Sequence, residues 1–191
     1  MRERLRQLLR RSTLRAAGGL PKLPRRLRPL LSATSEHLDG HLFGAGQPCF
    51  GCSPDHPTGF RLTFTREGDE MITRFTPGER HQGPPGLMHG GLVATLADEV
   101  AAWAIIGLLG KFGFTASFTA KLSGPVRIGV PLEGRSRITR DRLRITDVAV
   151  RISQDGKDTF SGDFKFVILD KGGAERLLGG PLPEAWQKFC R

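Results

Sequence analysis

The run His89-Gly90-Gly91, with Asp98 seven residues after the second glycine, combines residue types that can do chemistry. At a helix start, backbone N–H groups stand bare at the positive end of the helix dipole, where they stabilise negative charge. Glycines there let a reacting carbonyl come close to those groups, which is the requirement for an oxyanion hole in acyl transfer. A carboxylate beside it can act as a general base on water or as a nucleophile. Gly91 and Asp98 share a helix face but lie roughly 10 Å apart along its axis. Both cannot reach one carbonyl carbon, which must sit about 3 Å from its partners. If both act on one bond, Asp98 comes from a second copy of the helix running antiparallel, and the chain forms a two-fold dimer with two shared sites.

The element that positions these residues is an apolar helix expected over 89–107 and closed by Gly107 and Gly110. Leu92, Leu96, Trp103 and Ile106 form one side, and Val93, Val100 and Ile105 carry apolar surface further round. A helix apolar nearly all round must be buried nearly all round. Asp98 projects along a row of small residues, Gly91, Ala94, Thr95, Ala101 and Ala102. That row leaves room for a closely packed backbone or for a ligand. Around the helix the sequence reads as strands. Phe60, Leu62 and Phe64 alternate with polar residues from Gly59, and a second strand, 70–76, follows the turn "REGDE". Four more are expected at 113–124, 130–139, 142–153 and 159–169. The last carries Phe160, Phe164, Phe166 and Ile168 on one side, and the Asp-Gly of "SQDGKD" marks the hairpin before it. Short connections make the neighbours antiparallel. The fold class is therefore α+β, about six antiparallel strands curled around one central helix. Residues 1–47 read as a basic arm, 48–170 as the folded domain, and 171–191 as a tail with a short helix near "PLPEAW".

The 191 residues suit one domain of ordinary size, and 38% hydrophobic with 25% charged residues is a globular balance. No eighteen consecutive residues are apolar, so no membrane span is expected. The net charge of +10 is local. Residues 1–31 hold nine arginines and Lys22 against Glu3 alone, and the other 160 residues hold 19 basic and 18 acidic groups. Such an arm can touch nucleic acid or an anionic membrane, or stay solvated. Three cysteines point to a reducing cytosol, and the Arg-rich, acid-poor start also has the composition of a transit peptide for an organellar matrix. Cys49 and Cys52 form a single CxxC; with His56 as a third donor the set stays short of four, so no metal is expected. Glu99, about 100° round from Asp98, is expected to meet a polar partner at the helix edge or the dimer interface. His81 either borders a substrate channel or is exposed. His89 either bonds backbone at the helix start or transfers a proton.

The runs "HQGPPGLMHGGLVATLAD" and "TASFTAKLSGPVRIG", with "PCFGCSPDHPTGFRLTF" upstream, resemble the hotdog-fold acyl-CoA thioesterases of the phenylacetate-pathway type over about 48–169. The resemblance implies a sheet wrapped around one helix and a homodimer, or a dimer of dimers, with sites at the subunit interface. It implies that the Gly91 N–H polarises the thioester carbonyl, that Asp98 is base or nucleophile, and that His89 shapes the loop. The Thr115 hydroxyl then holds the attacking water or the carboxylate. Gly90, Thr95, Ser117, Lys121 and Arg127 are the candidates for substrate contact. Two positions depart from the family: Ser117 stands where an amide is common, and Gly124 where Arg or Lys precedes the proline. The implied activity is hydrolysis of an acyl-CoA to free acid and CoA without a cofactor. The alternatives are an acyl-CoA binder without turnover and a nucleic-acid or membrane protein driven by the arm. Enoyl-CoA hydration fits less well, because no Asp and His pair at its short spacing.

Overall fold

A computed structural model describes residues 37–190; the arm over residues 1–36 lies outside the described residues. Seven strands form one antiparallel sheet: β1 (His37–Leu38), β2 (Phe64–Glu67), β3 (Glu70–Phe75), β4 (Gly113–Leu122), β5 (Leu132–Asp141), β6 (Ile145–Gln154) and β7 (Lys157–Ile168). Their order is β1-β2-β3-β5-β6-β7-β4, so β4 crosses over to the far edge. Helix α1 (Gly90–Ala104) precedes β4, and α2 (Lys171–Leu178) and α3 (Glu184–Gln187) follow β7. The hairpin at Asp155-Gly156 forms as expected: both residues have positive φ, 53° and 72°, which this two-residue turn requires.

Three boundaries differ from expectation. The strand expected from Gly59 begins at Phe64. The Phe60 and Leu62 N–H groups instead bond the Phe50 and Gly51 carbonyls, tying this segment to the cysteine loop. The helix does not close at Gly107 but widens into a π-helical turn, Ile105–Leu109, that ends on Gly110 at φ 61°. Folded structure also starts before residue 48: β1 extends the sheet, and Phe43, in a 3₁₀ turn (Gly40–Phe43), is buried.

The sheet packs α1 from β3 through β7. Its inward residues alternate: Leu132, Gly134, Ser136 and Ile138 on β5, Thr146, Val148, Val150 and Ile152 on β6. Gly134 lets the helix approach, since a Cβ there would lie 3.1 Å from both Thr73 and Val100 side chains. Ser136 Oγ then donates to the Val100 carbonyl at 2.6 Å. By length and composition alone Gly90–Leu109 is long and apolar enough to cross a bilayer, although no single run is. Its Leu96, Val100, Trp103 and Ile105 side chains are buried in the core. Trp103 is fully buried, stacked on Phe64 at 4.6 Å with 15° between planes and edge-on to Phe43 at 5.7 Å. Trp186 of α3 covers Phe43 from the other side at 4.5 Å.

Because Trp103 joins α1 to Phe64 of β2 and to Phe43, which in turn meets Trp186 of α3, Trp103→Ala should lower unfolding stability by about 3–5 kcal/mol. Urea titration followed by far-ultraviolet circular dichroism measures it; a loss below about 1 kcal/mol would contradict this packing.

Candidate active site

Burial of α1 is not complete. Gly91 and Thr95 are exposed, and Ala94, Asp98 and Ala102 are half-buried, so one stripe of small residues stays bare around the acid. Ala101, expected on that row, is fully buried. Asp98 Oδ1 accepts a hydrogen bond from Thr115 Oγ1 at 2.8 Å. A bulge in β4 sets which side chains accompany Thr115. Thr115 lies opposite Phe166, whose ring is in the core, and the register shifts before Ser117 pairs with Lys165. Beyond the shift Phe118 faces Phe164, with rings stacked at 5.0 Å, and Leu122 faces Phe160. The bulge therefore puts Thr115, Phe118 and Leu122 on the helix side of β4. Burial raises the Asp98 carboxyl above the ordinary aspartate range, and the Thr115 bond opposes that shift.

His89 caps the helix start, and its Nδ1 accepts the Gly91 N–H at 3.0 Å. The amide expected to be bare is therefore engaged within its own chain. Among the described residues the Gly90 and Leu92 N–H groups have no partner. Gly90 also faces β4: a Cβ on it would lie 3.2 Å from Leu122 Cδ2. The loop before the helix is anchored by His81, whose carbonyl accepts the His89 N–H at 2.9 Å. His81 is not exposed. It is buried against Phe60 and Phe75, its Nδ1 accepts the Gly78 N–H, and burial holds its ring below the usual imidazole range.

The remaining candidates do not all gather here. Thr95 lies on the bare stripe and donates to the Gly91 carbonyl at 2.9 Å. Ser117 and Lys121 pair with Lys165 and Ser161, on the outer face of the sheet. Lys121 lines an outer groove with Arg135, Arg137 and Arg151, separated by the sheet from Asp98. Arg127 forms an ion pair with Asp155 at 3.1 Å. Glu99 points inward rather than to an edge. Trp103 Nε1 donates to Glu99 Oε1 at 3.1 Å, and Cys49 Sγ approaches both carboxylate oxygens, at 3.6 and 3.7 Å. Burial pushes the Glu99 carboxyl up to about 8. Sequence reasoning did not pair Glu99 with the CxxC; the second acid at the end of Ala97-Asp98-Glu99 was the available signal. His56 is not part of that group, its Nδ1 accepting from the Thr58 N–H.

Residues 85–160 match the thioesterase superfamily. Over 95 residues, 45% of this chain and 42% of the relative, the sequence is 31% identical to the acyl-coenzyme A thioesterase THEM4 of Xenopus laevis. The chain thus spans less than half the length of that curated relative. The crystal structure of a thioesterase superfamily protein matches with TM-score 0.59 at 26% identity, covering 62% of this chain and 59% of that one. A phenylacetic acid degradation-related protein from Ralstonia eutropha JMP134 matches with TM-score 0.53 at 20% identity, covering 56% and 85%. The α+β hotdog fold expected from the sequence is the fold of this chain, and the stretch similar to the thioesterase superfamily runs from just before α1 into β7.

The raised Asp98 pKa has a sign that stability can test. The folded chain holds this proton to higher pH than the unfolded chain, whose value is near 3.8. Stability from this group is therefore present below pH 3.8 and is lost as pH rises through the folded value. Asp98→Asn should accordingly melt at the same temperature as the parent or higher at pH 7, with the advantage gone in acid. Differential scanning calorimetry across pH checks this, and a lower melting temperature at pH 7 would show that the carboxylate is a net structural support.

Proposed function

We propose that this chain hydrolyses acyl-CoA thioesters to free acid and CoA, at two equivalent sites each shared between two copies. The observation that carries this reading is Asp98, held by Thr115 on the bare stripe of a helix that starts His-Gly-Gly. The superfamily match and the likeness to an acyl-coenzyme A thioesterase support the substrate class. In this reaction the carbonyl oxygen takes its hydrogen bonds from the helix start of one copy. The Gly90 and Leu92 amides are open to it, and rotation of the His89 ring releases that of Gly91. The Asp98 carboxylate of the other copy removes a proton from water as the water oxygen attacks the carbonyl carbon. Collapse of the tetrahedral intermediate breaks the C–S bond, and Asp98 returns the proton to the departing thiolate. Thr115 occupies Oδ1, leaving Oδ2 without a partner among the described residues to receive the proton.

Two features favour sharing. Asp98 and the helix start of one chain are about two turns apart. The β4 edge beside them is ten residues long with Phe114, Phe118 and Leu122 about half exposed, at 51%, 47% and 54%. Among the described residues this edge has no neighbouring strand, and a long, apolar, unpaired edge is a template for another strand. One observation favours the second reading, a binder without turnover: the Gly91 N–H is already satisfied by His89.

Thiol release from an acyl-CoA panel separates the two. The parent should turn over at least one substrate, and Asp98→Ala should lower kcat by about 10²–10⁴-fold. Binding without thiol release on every substrate would establish the binder. Refolded 1:1 mixtures of Asp98→Ala with Gly90→Val should regain about a quarter of parent activity, since half the dimers carry one intact site. No recovery would place each site within one chain. His89→Ala tests the cap: stability should fall by about 0.5–2 kcal/mol with kcat kept within tenfold. A hundredfold fall in kcat would instead make the ring a proton carrier.

A further inference from the structure

Away from the Asp98 stripe, Cys49, Cys52 and Glu99 bring two sulfurs and a carboxylate oxygen within 4.8 Å of one another. The loop is built around this contact. The Ser53 N–H bonds the Cys49 carbonyl at 3.0 Å, closing one turn, and the Phe50 and Gly51 carbonyls are bonded to Phe60 and Leu62. Gly51 leaves room for the Glu99 carboxylate, which a Cβ there would displace. Gln47 braces the loop, its Oε1 accepting the Cys49 N–H at 3.0 Å and its Nε2 lying 3.9 Å from Cys52 Sγ. Cys49 is half-buried, while Cys52 is 3% exposed. Among the described residues no cation pairs with Glu99, whose polar neighbours are Trp103 and the two thiols. A solvent-reachable thiol, a buried thiol three residues on, and a proton acceptor beside both are the parts that thiol–disulfide exchange uses.

The geometry points to a dithiol–disulfide site in which Cys49 reacts with small external disulfides, Cys52 resolves the adduct, and Glu99 carries the proton. The Cys49 thiolate attacks one sulfur of the external disulfide, and Glu99, which burial keeps protonated at pH 7, gives its proton to the thiolate that leaves. Cys52 gives its proton to the Glu99 carboxylate and attacks Cys49 Sγ, forming the internal disulfide and expelling the second thiolate. Glu99 passes the proton to that leaving thiolate. Two protein thiols are oxidised, and the external disulfide is reduced to two thiols. The electrostatics run the same way. The neighbouring Cys52 thiol and the loop N–H groups hold Cys49 well below the usual thiol range. Contact with Cys49 and burial push Cys52 up. This chemistry is independent of thioester hydrolysis.

The full chain is incubated with oxidised glutathione, quenched in acid, denatured, alkylated with a maleimide and weighed intact. The parent should lose two alkylation sites without gaining glutathione, keeping only Cys190 reactive. Cys52→Ser should trap one glutathione on Cys49, whereas Cys49→Ser should trap none. Glu99→Gln should accumulate the mixed disulfide, closing the internal bond about tenfold more slowly at pH 7. Three alkylated cysteines in the parent, or equal adducts on both single variants, would overturn the proposal. One equivalent of zinc in the purified chain, protecting the cysteines until chelated, would replace it with a metal site. Should Glu99→Gln fail to fold, the two cysteine variants still decide.

Discussion

The constraint on which this molecule depends is that one sheet must enclose one strongly apolar helix. A single antiparallel sheet curls around α1 from β3 to β4 but cannot meet itself on the far side. Whatever the sheet leaves uncovered must be tolerable in water, and the chain answers with Gly91, Ala94, Thr95, Asp98 and Ala102. Small residues expose little apolar area there, and they leave the carboxylate accessible. The opening in the wrap and the candidate site are the same place for the same reason. Gly134 and Ser136 on the opposite side show how tightly the enclosed faces are held.

Two adjacent carboxylates on this helix meet opposite environments because one residue is a rotation of about 100°. Asp98 emerges on the stripe and takes one hydroxyl from Thr115. Glu99 turns into the interior, where a buried charge is costly unless it is hydrogen-bonded or paired. The indole of Trp103 and the thiols of the cysteine loop supply its neighbours. Both carboxyls are raised by burial, but only Asp98 has an oxygen without a partner among the described residues facing that stripe's chemistry. The chain thus keeps one acid for solvent-side work and encloses the other beside sulfur.

Much of this was legible because it rests on periodicity. The alternation of Phe160, Phe164 and Phe166 against Ser161, Asp163 and Lys165 gave β7 its two faces, and the apolar run after His89 gave α1. Less regular features were hidden. The bulge at Ala116 reverses the faces of β4 beyond Thr115, so Ser117 and Lys121 fall outside although their spacing from Thr115 suggested one side. A bulge leaves no periodic mark in one sequence. Phe60 and Leu62 alternate like a strand, yet their backbone partner is the loop at Phe50 and Gly51. Alternation reports burial on one side, not the identity of the hydrogen-bond partner. The meeting of Cys49 with Glu99 spans fifty residues, and local spacing carries no information on it.

The His89 ring adds a last physical distinction between a helix start that is merely capped and one that is reactive. Bonding Nδ1 to the Gly91 N–H satisfies a group that would otherwise be orphaned at the exposed end of α1. A carbonyl gains from that same N–H only when charge develops on its oxygen. The cap and the proposed substrate therefore compete for one donor. An imidazole acceptor serves the resting protein, and an oxyanion is the stronger acceptor because hydrogen bonds to charged groups are about twice as strong as neutral ones. Such competition suits catalysis better than ground-state binding, since the donor is surrendered to the transition state more readily than to the neutral thioester. The satisfied amide, read alone as a sign of simple binding, is thus compatible with turnover at a site whose donor is released only when it is needed.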